Sequence, residues 1–165
     1  MLNPEILIEL QKYVEERLEI ESFSLKLNES SFDLFQEVQH SEIDNFIKTK
    51  RKPTLNQVLF NFIDSTGVKD SIIYKRAGID RRHFSKIRTN PNYQPRKNTT
   101  IALALALELT KEDTDELLGS AGYSLSDSDT NDLVIQYCLE KKIYDINLVN
   151  QALDHFDLDP LTGLH

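Results

Sequence analysis

The segment Ile101-Ala-Leu-Ala-Leu-Ala-Leu-Glu-Leu109 constrains this chain more than any other. It is apolar almost throughout, yet far shorter than the roughly 20 residues a membrane-spanning helix requires. Its Leu/Ala alternation has the period of a strand. Ala and Leu are nevertheless the strongest helix formers, and no β-branched run accompanies them. We therefore read it as a buried helix whose small Ala residues let neighbouring helices approach closely.

The surrounding segments are helical too, which predicts an all-α fold. Pro4 begins a helix over 4–21 with an apolar stripe of Leu7, Leu10, Val14 and Leu18 beside Glu15, Glu16 and Glu19. A second helix, from Ser31 to about Lys48, is expected to bury Phe35, Val38 and Phe46. The run Lys48-Thr-Lys-Arg-Lys-Pro53 breaks the pattern and marks a boundary, as a solvated linker or a phosphate contact. Helices are then predicted over 54–64, closed by Gly67; over 69–77, ended by Gly78; and from Asp80, an N-cap for the N–H of Arg82 or His83, with Phe84 and Ile87 facing inward. The two prolines between Thr89 and Arg96 predict an exposed loop. Thr110, with Asp113 three residues on, opens another helix ending near Gly119 or Gly122. Two more are expected over 130–141 and 147–156, with a loose tail after Asp157. The predicted organisation is a helical N-terminal arm (1–52), a core (53–125) and a C-terminal helical extension (126–165).

The net charge of −8 argues at first against a polyanionic partner. The average hides a segregation. Between Lys48 and Thr99 there are 13 Lys and Arg against 3 acidic residues (Asp64, Asp70, Asp80), a local +10; the remaining 6 Lys and Arg against 24 Asp and Glu give −18. The basic segment suits a phosphate backbone, and the acidic flanks suit a protein partner or limit non-specific binding.

Within that segment, Ser71-Ile-Ile-Tyr-Lys-Arg-Ala-Gly-Ile-Asp-Arg-Arg-His-Phe-Ser-Lys-Ile-Arg88, followed by Ile101–Leu109 and Glu112–Leu118, resembles the phage-repressor type of helix-turn-helix domain over roughly residues 54–122. Two short helices that cross steeply need Gly at the joint, and Ile73, Ile79, Phe84 and Ile87 are placed to bury it. The second helix keeps an outer face for a major groove. By position, the resemblance implies base contacts from Arg81, Arg82 and Lys86, with Ser85 close by. Arg can pair bidentately with guanine. Lys69, Lys75, Arg88, Arg96 and Lys97 are expected to touch phosphates, which position without specifying. Tyr74 stands where the family has Ala, so it must tilt the helices or swing outward. The region from Phe46 onward is also similar to a helical segment appended to bacterial macro-domain proteins, through Ile79–Pro91, Leu103–Leu109 and Ala121-Gly-Tyr-Ser-Leu-Ser126. That resemblance implies an accessory module of a regulatory or phage-defence system.

Other chemistries find little support. Asp127-Ser-Asp-Thr-Asn-Asp132 begins like a calcium loop but has no Gly at its sixth position and Cys138 at its twelfth, so it reads as a helix start rich in capping residues. The four histidines (His40, His83, His155, His165) lack partners at helical spacing, which argues against zinc. Cys138 lies on an apolar stripe with Val134 and reads as packing. No phosphate loop or nucleophile elbow is present. A lone cysteine and a start without positive charge before its first apolar residues fit a cytoplasmic address. Tyr93 is expected to pin its loop to the body; stacking on an unpaired base, which would favour RNA, is the alternative.

The expectation is thus a non-enzymatic, cofactor-free, metal-free regulator that binds double-stranded DNA, with its acidic terminal helices meeting a second copy or a protein partner and no membrane involved. The alternative is a non-catalytic adaptor that uses the same fold for protein contacts.

Overall fold

The computed structural model describes residues 4–26 and 28–162, the side chains of 18–38 excepted. Every regular element among them is a helix. The chain forms two compact units, Met1–Arg51 and Lys52–His165.

The first unit holds α1 (Pro4–Lys26) and α2 (Asn28–Lys50), both longer than the sequence pattern indicated. Helical bonding continues through the basic run: the Thr49 hydroxyl donates to the Asn45 carbonyl and the Arg51 N–H to that of Ile47. Leu7, Leu10 and Val14 form their stripe but remain exposed, and Phe46, expected inside, is 63% exposed. Each stands on a helix face that nothing among the described residues covers. The side chains of Leu18, Phe35 and Val38 lie outside the described residues.

The second unit contains α3 (Leu55–Thr66), α4 (Asp70–Arg76), α5 (Arg81–Thr89), α6 (Lys97–Ala106), α7 (Lys111–Ser120), α8 (Thr130–Glu140) and α9 (Ile146–His155). Their starts follow from capping chemistry. Thr54 and Gln57 form a reciprocal capping box on α3. Asp80 accepts the His83 N–H at 2.7 Å, Thr110 that of Asp113 and Asp129 that of Asp132. The stretch around Asp127–Asp132 is therefore the start of α8.

The ends share one geometry. In α4, α6, α7, α8 and α9 the second residue past the helix turns left-handed (Gly78, Glu108, Gly122, Lys142, Asp157), and the next N–H reaches back five residues, as that of Ile79 does to the Tyr74 carbonyl. This is the Schellman arrangement, which satisfies carbonyls a helix end leaves open.

Helix α6 is the axis of the unit. Every residue from Thr99 to Ala106 is buried. Ala102, Leu103, Ala104 and Ala106 join Leu59, Ile73, Phe84, Ile87 and Leu117 in one core. Ile101 and Leu105 join Leu118, Ile135, Cys138, Val149 and Leu153 in another. A helix buried from Thr99 to Ala106 serves two cores at once, so residues 126–162 pack continuously with the segment before them. The tail, expected to be loose, is fastened. Leu161 is buried in the second core, its N–H donates to Asn150 Oδ1, and Asn150 Nδ2 donates to the Thr162 carbonyl. The Thr162 hydroxyl donates in turn to the Ala77 carbonyl, at the α4–α5 joint.

Candidate functional site

The basic residues picked out above converge on α5 and what surrounds it. Phe84 and Ile87 are buried, and Asn56 Nδ2 donates to the Ile87 carbonyl at 2.8 Å, tying the last turn of α5 to α3. Those anchors fix which side faces out: Arg81, Arg82, Ser85, Lys86 and Thr89 are all exposed, one stripe at helical spacing. The joint before α5 is set by Gly78 at φ 68°, a conformation that Cβ-bearing residues disfavour. Tyr74 does not swing into solvent. It is half-buried, its ring centroid 5.6 Å from that of Phe84, while Phe60 meets Phe84 edge-on from α3.

Arg82, Lys86 and Arg96 line a single shallow, open depression of about 550 Å³, together with Asp80, His83, Tyr93 and Thr99. Neither Arg81, Arg82 nor Arg96 has a carboxylate partner among the described residues. Tyr93 closes one side: its hydroxyl lies 3.2 Å from His83 Nε2, and Lys86 Nζ sits 4.5 Å over its ring. The loop is exposed at Asn90, Pro91, Asn92 and Gln94, as its prolines predicted, but it is anchored at two points. Pro95 is buried, its carbonyl accepts the Tyr123 hydroxyl at 3.0 Å, and Gln94 donates to the Ala121 carbonyl at 2.5 Å. Tyr93 thus pins its loop, and one face of its ring is already covered by Lys86.

Two expected phosphate contacts have other occupations. Arg88 makes a forked pair with Asp70, donating from Nε at 2.8 Å and from Nη2 at 2.9 Å, and its guanidinium lies 4.5 Å over Phe60. It braces α5 against α4. Lys97 Nζ is 2.7 Å from Asp132 Oδ2, whose side chain is 2% exposed. A lysine so placed neutralises a buried carboxylate before it can reach a phosphate. Lys69, at the N-cap position of α4, and Lys75, in its last turn, are exposed. Lys75 lines a different pocket, with Arg76, Glu108, Tyr144 and Asp145, so the structure does not bring it to the depression. Sequence reasoning missed His83 and Thr99 as lining residues. Their one signal was position: His83 directly precedes the buried Phe84 and so lies at the edge of the helix face.

Burial pushes the Cys138 thiol above its ordinary pKa, which suits packing and not nucleophilic chemistry. Among the described residues no group of three His, Cys, Asp or Glu is placed to hold a metal ion, and no helix is long and apolar enough to cross a membrane. No family model, curated protein or solved structure matches the chain.

Proposed function

We propose that the second unit binds double-stranded DNA as a helix-turn-helix module of a transcriptional regulator, with α5 lying in the major groove. One observation carries the reading. Helix α5 buries Phe84 and Ile87 and presents Arg81, Arg82, Ser85 and Lys86 together on its outer face, with the two arginines unpaired. Solvated surface arginines are more often interspersed with carboxylates, whereas a stripe of free cations on one helix suits a polyanion. Arg81 and Arg82 read base edges, Lys86 assists one turn on, and Arg96 and Lys69 hold phosphates on either side. Arg88 braces α5 against α4, Lys97 ties α6 to α8, and neither touches DNA.

The roles separate experimentally. Arg81→Ala and Arg82→Ala should each narrow the affinity gap between a selected duplex and a random one by about 1–3 kcal/mol. Arg96→Ala should weaken both duplexes alike and lower the salt slope by about one. Equal losses on both duplexes in all three variants would contradict the assignment.

The second reading is the non-catalytic adaptor. It draws on the exposed apolar side chains among the described residues of α1 and α2, such as Leu7, Leu10, Phe46 and Ile47. It predicts that no duplex is bound even at low salt.

A further inference from the structure

We propose that the depression beside α5 binds a dianionic phosphoryl group, either free phosphate or the terminal phosphate of a small ester, with the Thr99 hydroxyl as its innermost donor. Binding there is independent of whether α5 meets DNA; only the competition between the two rests on that reading.

Thr99 is the observation that points to a ligand. It is 8% exposed and lines the depression. Its hydroxyl has no hydrogen-bond partner among the described residues, yet it is not sealed off as the Thr114 hydroxyl is. Other helical threonines nearby are occupied: the Thr89 hydroxyl donates to the Ser85 carbonyl and that of Thr100 to the Arg96 carbonyl. Buried polar groups are almost always partnered, so a free hydroxyl opening on a recess is left to serve an acceptor that enters it.

The wall around Thr99 suits an anion. Helices α3, α5, α7, α8 and α9 each begin with a side-chain cap, whereas α6 begins at Arg96 with none. The N–H groups of Lys97, Asn98 and Thr99 accordingly have no acceptor among the described residues. They form the positive end of the α6 dipole.

Charge sets the class of ligand. Arg82, Lys86 and Arg96 line the recess against a single carboxylate, Asp80, a balance of +2 with His83 neutral. Asp80 is already engaged, accepting the His83 N–H. A phosphate monoester carries about −1.5 to −2 at neutral pH and presents three acceptor oxygens. It is tethered on one side only, so it reaches a buried hydroxyl more readily than a backbone diester tethered on both. The volume of about 550 Å³ admits a molecule of nucleotide size. Because Arg82 and Lys86 also face outward on α5, a phosphoryl group held here and a duplex exclude each other.

The test is proton–nitrogen correlation NMR of the full chain, titrated separately with inorganic phosphate, AMP and adenosine, the last as the probe without a phosphate. The Thr99 and Arg96 amide signals should move together and saturate with phosphate and with AMP, and stay in place with adenosine. Tighter binding of AMP than of phosphate would identify an ester as the ligand, and equal binding the free ion. Thr99→Val keeps the shape, removes the hydroxyl and should weaken both about tenfold. Arg96→Gln, at an exposed position, should do the same. Lys75→Gln removes one charge away from the recess and should leave the affinity unchanged. Three results would overturn the proposal: no saturable shift at Thr99, wild-type affinity in Thr99→Val, or equal losses in Arg96→Gln and Lys75→Gln, the mark of diffuse attraction. A chain that binds a duplex but neither phosphate nor AMP would sink this proposal alone. One that binds AMP but no duplex would sink the DNA reading alone.

Discussion

The pair between Lys97 and Asp132 ties the first turn of α6 to the first turn of α8, with the Ser126 N–H as the carboxylate's further partner at 2.8 Å. Removing one member of such a pair leaves the other buried and unmatched. Lys97→Met should therefore lower the unfolding free energy by about 2–3 kcal/mol, discounted for the part of the lysine that water still reaches. Urea unfolding measures this, and a loss below about 0.5 kcal/mol would mean the pair contributes as little as an exposed one. Elsewhere the Thr114 hydroxyl is buried without a hydrogen-bond partner among the described residues. Thr114→Val keeps the shape and removes the orphan, and should gain about 1 kcal/mol in the same assay. Lys142 holds φ 57° at the end of α8 on an exposed turn. Lys142→Gly should relieve that backbone and stabilise by up to about 1 kcal/mol.

At the scale of elements, the α4–α5 joint depends on Gly78. Gly78→Ala forces a Cβ into the left-handed region and should destabilise the unit by about 1–2 kcal/mol. It should also loosen the presentation of Arg81 and Arg82. Thermal unfolding checks the first effect, and an unchanged midpoint would mean the turn has a right-handed alternative. Much of this architecture was legible because capping is local chemistry. Thr54, Asp80 and Thr110 announce helices that begin one residue later, and Gly67, Gly78 and Gly122 announce turns that the backbone adopts. The start of α6 was not legible. It lies at Lys97, four residues before the apolar run begins, because polar residues there match no hydrophobic period. The ends at Glu108, Lys142 and Asp157 carry no glycine to signal them. The site was half legible for a related reason. Helical spacing shows that Arg81, Arg82, Ser85 and Lys86 share a face, but it cannot show that Asp70, 18 positions earlier, claims Arg88, or that Asp132, 35 positions later, claims Lys97.

For the molecule as a whole, α6 makes the second unit indivisible, since the core behind α5 and the core of the C-terminal helices share its two sides. The tail adds a fastening from Leu161 to Asn150 of α9 and from Thr162 to the α4–α5 joint. Leu161→Ala should cost about 2–3 kcal/mol by leaving a hole in the second core, and urea unfolding would show it in one transition rather than two. The opposition between a −8 chain and a local +10 segment decides function at this scale. Either the free cations on α5 dominate at short range, or the acidic remainder repels any polyanion. Fluorescence anisotropy of a random duplex titrated across salt concentrations, with Arg81→Ala/Arg82→Ala alongside, settles which field wins. The account predicts binding whose log–log salt dependence is linear with a slope of several ions, about 0.9 per phosphate met, and weaker binding by the double variant. No binding at the lowest salt, or binding untouched by the loss of both arginines, would contradict it.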